Sequence, residues 1–121
     1  MSLLDWFRPS WKHSNADVRR DSIREVEDPA ILVDMIVDDG EWFVRHEALG
    51  ALRAMRPEQT HYHQVMRRST DEEIRRKVVK VMTDETELVR VAREDQYRYI
   101  REAAQHRLNE LRTGLWDHLE Q

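Results

Sequence analysis

Apolar residues recur along this chain at helical rather than strand spacing. Val44, Ala48, Leu52 and Met55 stand at i, i+4, i+8 and i+11, and Ile100, Ala104, Leu108 and Leu111 repeat that spacing. Ile74, Val78 and Met82 follow it more briefly, as do Val18, Ser22 and Val26. Such positions form one stripe along a helix of 3.6 residues per turn. A second kind of segment carries i, i+3, i+4 triplets: Leu32/Met35/Ile36, Tyr62/Val65/Met66 and Leu88/Val91/Ala92. In each case the next stripe begins twelve residues after the first member of the triplet. Leu3/Trp6/Phe7 has the same spacing ahead of Val18, with a longer gap. The pattern predicts an all-α chain of four helical hairpins, near 2–26, 29–55, 58–82 and 85–112. A closing segment, 113–121, carries Leu115, Trp116 and Leu119. All of it reads as one repeat domain, 1–121.

The stripes share a head. Val18-Arg19, Val44-Arg45, Ile74-Arg75 and Ile100-Arg101 are spaced 26, 30 and 26 residues apart. Residues 15–52 align without gaps to 71–108 at an offset of 56, with nine identities in 38 positions. Ordinary residue usage would give roughly two or three. The identities fall at core or turn positions, as a structural repeat requires. Turn chemistry agrees. Asn15, Asp71 and Asp84 suit helix N-caps, and Asp28-Pro29 puts a cap before a proline at the first helical position. Gly40 and Gly114 suit helix ends that need positive φ. Pro57 interrupts a helix at the longer middle linker.

These motifs resemble HEAT repeats, in particular the short bacterial and archaeal HEAT-like class that includes phycobilisome-lyase-type proteins. The resemblance rests on Asp17-Val18-Arg19, on Phe43 through Leu52, on Glu73-Ile74-Arg75 and on Tyr99 through Ala104. It covers about 15–112. It implies a right-handed α-solenoid whose second helices line a concave face. It also implies that the motif arginines contact acidic residues of neighbouring repeats, a role for which Asp17, Asp39, Asp71 and Asp95 are available.

Composition narrows the function classes. The formal net charge of −4 counts against a large sequence-independent grip on nucleic acid. With no cysteine, disulfides, thiolate metal sites and a cysteine nucleophile are excluded. The stretch Met1 to Phe7 is short and carries Asp5, unlike a secretory h-region, and no apolar run has the length of a membrane span. The expected compartment is therefore the cytoplasm.

Little in the chain points to catalysis. There is no HExxH, P-loop, GxGxxG or nucleophile elbow, and no catalytic, metal or cofactor-binding residue is assigned. The run around His46-Glu47 resembles the His-Glu motif of deoxyhypusine hydroxylase, a HEAT-repeat di-iron enzyme. One such pair cannot supply a dinuclear ligand set. On a helix, His61 and His63 point about 200° apart and flank Tyr62 instead of sharing a metal.

The leading expectation is a non-catalytic protein-binding or scaffold module. Its contact candidates are Trp42, Arg45, His46, Leu49 and Arg53 on a preformed surface. Trp42 aligns with Arg98, a polar place in the other copy, which admits either an exposed anchor or a partly covered structural tryptophan, whereas Phe43 and Tyr99 read as core. Weak nucleic-acid binding is one alternative, through Arg68, Arg75, Arg76, Lys77 and Lys80 in the basic 67–80 stretch. A lyase-like or metal-assisted enzyme subunit is the other. Residues 30–37 are apolar nearly all round except at Asp34. That implies cover by the Leu3/Leu4/Trp6/Phe7 segment, or else by a partner or a second copy.

Overall fold

The structure is a computed structural model that describes Trp6 and residues 8–114. Among these residues it is all-helical. The α-helices are α1 (Ala16–Ser22), α2 (Pro29–Asp38), α3 (Trp42–Ala54), α4 (Gln59–Arg68), α5 (Glu72–Val81), α6 (Glu85–Glu94) and α7 (Arg98–Thr113). Short 3-10 turns occupy Ser10–Lys12 and Ile23–Glu25. No helix among the described residues is long and apolar enough to cross a membrane. The chain divides into two compact units, Met1–Ile74 and Arg75–Gln121.

Local chemistry sets the helix ends. Asn15 accepts from the Asp17 N–H, Asp28 from Ala30 and Asp84 from Glu87, each filling an otherwise orphaned donor of a first turn. Asp71 caps α5 by accepting from both Glu73 and Ile74. Gly114 ends α7 in the left-handed region, at φ 75°. Gly40 does not play that part. Among the described residues the left-handed positions are Gly114 and Arg56, and α2 ends because Asp39 leaves the helix in an extended conformation. Arg56, at φ 51°, turns the chain out of α3 just before Pro57.

In the first unit α2 packs on α3 and α4, and α1 packs on α3. Its core holds Leu32, Val33 and Ile36 of α2, Val44, Ala48 and Leu52 of α3, and Val65 and Met66 of α4, all essentially closed to solvent. The near-continuous apolar character of α2 follows from these two neighbours. Trp6 is 80 % exposed, so it does not provide the expected cover; Leu3, Leu4 and Phe7 lie outside the described residues, as do Leu115, Trp116 and Leu119. In the second unit α6 packs on α7. Leu88 and Val91 meet the Ile100, Ala104 and Leu108 stripe, with Val78 and Met82 also buried.

Four positions depart from the stripes. Met55 is exposed because α3 stops at Ala54 and the residue becomes its C-cap. Val18 is at the border of exposure, since the buried line of its short helix runs through Ser22, Ile23 and Val26. Tyr99 is 41 % exposed rather than core, with its ring packed on Tyr97 at 5.9 Å. Arg107 occupies the place of Ala51 in the other copy, yet it is buried. Its Nε donates to the Met82 carbonyl at 2.9 Å, supplying a donor to the C-terminal end of α5.

Candidate functional site

The motif arginines are built into clamps. Arg19 donates Nε and Nη2 to the two oxygens of Asp39, at 2.8 and 3.0 Å, in a bidentate pair. The Asp39 bonds raise the Arg19 pKa against the opposing pull of burial. Arg45 donates Nε to Asp71 Oδ2 at 3.1 Å, and Arg75 pairs with Asp95. A second set of bonds runs from Nη1 to the carbonyl six residues back: Arg19 to His13, Arg45 to Asp39 and Arg101 to Asp95. The aspartates serve twice. Asp39 also accepts from the Glu41 N–H and Asp95 from the Tyr97 N–H, as Asp71 does from Glu73 and Ile74. Of the four candidate acidic partners, Asp17 stands outside this scheme. It is exposed in the first turn of α1 and lies 3.6 Å from Arg20, because the capping place there belongs to Asn15.

The five contact candidates all lie on α3, at i, i+3, i+4, i+7 and i+11, so one side of the helix carries them. They do not share one environment. Trp42 is 65 % exposed, its ring edge-on to Phe43 at 6.0 Å and to His46 at 6.2 Å. The Arg20 guanidinium lies over the Phe43 ring, 5.7 Å from its centroid, a cation–π distance. His46 is half-buried, with Nε2 3.5 Å from Asp71 Oδ2. Arg45 is committed to Asp71 and to the Asp39 carbonyl, so it supports the surface from below. Leu49 is 2 % exposed and cannot touch a partner; its side of α3 has turned into the core. Arg53 is exposed, and its charge opposes the upward push that burial gives the Tyr62 hydroxyl.

Asp71 joins these groups electrostatically. Burial pushes its carboxyl up. The Ile74 N–H, the Arg45 guanidinium and positive charge at His46 outweigh that push and hold it below its ordinary value. Beside it a crevice of about 380 Å³ is lined by Val37, Asp39, Arg45, Thr70 and Asp71.

The basic stretch is less available than its composition suggests. Arg68, in the first unit, donates to Asp34 at 3.0 Å and to Asp38 at 3.2 Å. This also explains the two charged residues of α2: Asp34 and Asp38 face outward and meet Arg68 of α4. Arg75, in the second unit, is mostly buried against Asp95 and is not free for a phosphate. Lys77 is half-buried, and Arg76 and Lys80 are exposed. His61 and His63 both lie within α4, on either side of the buried Tyr62. Among the described residues no three histidine or acidic side chains are grouped to hold a metal ion.

Among the described residues, two buried charged groups lie outside the apolar stripes and the arginine–aspartate clamps. One is Arg107, bonded to Met82. The other is Glu87, buried at the start of α6 and bonded by Arg90 Nε at 2.9 Å. An Arg or Glu at a position that is apolar in the other copy, Ala51 or Ile31, was the available signal. The chain matches no protein-family model, no curated protein and no solved structure.

Proposed function

We propose that this chain is a HEAT-like repeat module, four hairpins in a right-handed α-solenoid, that binds another protein and acts as a non-catalytic scaffold in the cytoplasm. The binding face is the N-terminal part of α3, with Trp42 as anchor, His46 beside it and Arg53 toward the far end of the helix. One observation carries this reading: Trp42 is left 65 % exposed beside two neighbours that are tied down. Arg45 is fixed by Asp71, and Phe43 lies under Arg20. Tryptophan and arginine are favoured anchors at protein interfaces. A surface already held in place loses little conformational freedom on binding.

The test is capture of partners by the full chain, by a Trp42→Ala variant and by a Gly50→Ala control on the same helix. A partner held through this face should bind the Trp42→Ala protein roughly thirtyfold more weakly, the effect of losing about 2 kcal/mol. It should bind the control as it binds the parent. Equal binding to Trp42→Ala and parent would move the interface elsewhere.

A further inference from the structure

Among the described residues, three of the four motif arginines hold a carboxylate and the fourth does not. Arg19 has Asp39, Arg45 has Asp71 and Arg75 has Asp95. Arg101 donates Nη1 to the Asp95 carbonyl at 2.6 Å, and no carboxylate among the described residues pairs with it. It is half-buried on α7. The group is nonetheless tethered in the same way as its counterpart. Arg45, 56 residues earlier, makes the same Nη1 bond to the Asp39 carbonyl at 3.0 Å, and its Nε and Nη2 then both meet Asp71 Oδ2 at 3.1 Å. In Arg101 those two donors meet no carboxylate among the described residues.

We propose that Arg101 receives the N-terminal carboxylate of a helix belonging to another protein, as Arg45 receives Asp71. The chemistry of the occupant follows from the filled clamp. Asp71 gives Oδ2 to Arg45 and keeps Oδ1 for the N–H groups of Glu73 and Ile74, so the matching group is an aspartate at a helix N-cap. A second copy of this chain offers something different. Its residue equivalent to Asp71 is Asn15, an uncharged amide whose Oδ1 already accepts from Asp17. Next to Arg101, Glu102 stands where His46 stands in the first unit. Its carboxylate is held by Arg98 Nε at 2.9 Å, so a neighbouring cation offsets its repulsion of an incoming anion. The exposed Tyr99 adds apolar area beside the receptor. This surface lies in the second unit and does not depend on the Trp42 face, so a negative result with Trp42→Ala leaves it standing.

The experiment uses the full ¹⁵N-labelled chain and a capped synthetic peptide with the sequence of residues 69–82, in which Asp71 heads the helix. The readout is the Arg101 Nε–H resonance. The peptide should shift it, an Asp71→Asn peptide should bind roughly fivefold more weakly, as expected for loss of one ion pair, and Arg101→Gln should abolish the α7 shifts. Gln keeps a donor for the Asp95 carbonyl, and Arg101→Lys, which keeps the charge but not the fork, should retain part of the binding. Equal binding of the two peptides, no binding by either, or shifts confined to Arg45 would overturn the proposal. So would a free-protein shift of the Arg101 resonance in Asp117→Asn/Glu120→Gln, which would make the chain's own carboxylates the occupants. A concentration-dependent dimer lost in Arg101→Gln would place a second copy there instead.

Discussion

Asp71 shows how one residue can hold two elements. One oxygen closes the first turn of α5, and the other takes the Arg45 guanidinium from α3. Asp71→Asn separates the two roles, because an amide still caps a helix but carries no charge. The substitution should cost about 1–2 kcal/mol at neutral pH, the size of a charge-assisted bond in a mostly buried setting. The pH dependence has a definite sign. A carboxyl whose folded pKa is lowered contributes stability above the unfolded value, about 3.9, and loses it as pH falls through the lower folded value. The gap in unfolding free energy between parent and Asp71→Asn should therefore be full at pH 7 and close below about pH 4. Denaturant melts at several pH values would show this, and a gap that persisted at pH 2 would contradict it. At this scale the sequence was a partial guide. The motif arginines and the three aspartates that they hold were legible, but the fourth candidate, Asp17, proved to lie outside the clamps. That Leu49 is buried was not, because α3 meets neighbours on more than one side, and a single stripe records only one of them.

Helices were the most legible level, since apolar period and capping chemistry both act locally. The stripe through Val44, Ala48 and Leu52 and the one through Ile100, Ala104 and Leu108 are buried as their spacing implies. Less legible were the ends, where alternatives differ by little. Asp39 does by leaving the helix what Gly40 was expected to do by positive φ. Two glycines now give opposite expectations. Gly50 lies inside α3, and a Cβ placed on it meets nothing within 4 Å. Gly50→Ala should stabilise the protein by about 0.5–1 kcal/mol through backbone entropy alone. Gly114 also has open space around it, but its φ of 75° is strained for any side chain. Gly114→Ala should cost about 1 kcal/mol or more. Thermal melts of the two variants should move in opposite directions; shifts of the same sign would mean that local backbone preference does not govern these ends.

For the molecule as a whole, charge is plentiful and nearly balanced. The chain carries 20 lysines and arginines, 24 acidic residues and six histidines. Protonating the carboxyls removes one side of that balance and every clamp with it. Helical circular dichroism should therefore collapse below about pH 4, and added salt should restore part of it by screening the cations. Helicity unchanged at pH 2 without salt would show that apolar packing alone sustains both units. The internal copy at an offset of 56 was visible in the sequence because it repeats core and turn positions.

The double duty of Asp39, Asp71 and Asp95 also bears on how this chain can change length. The N–H that the aspartate accepts lies two residues after it in all three turns, whereas the arginine precedes it by 20 residues in two clamps and 26 in the third. Insertions and deletions are thus confined to the stretch between an arginine and its aspartate, where the connection 55–58 already shows such latitude. One residue added between an aspartate and the N–H two places on would remove that turn bond or the clamp, so these three turns are where the reading frame of the repeat is fixed.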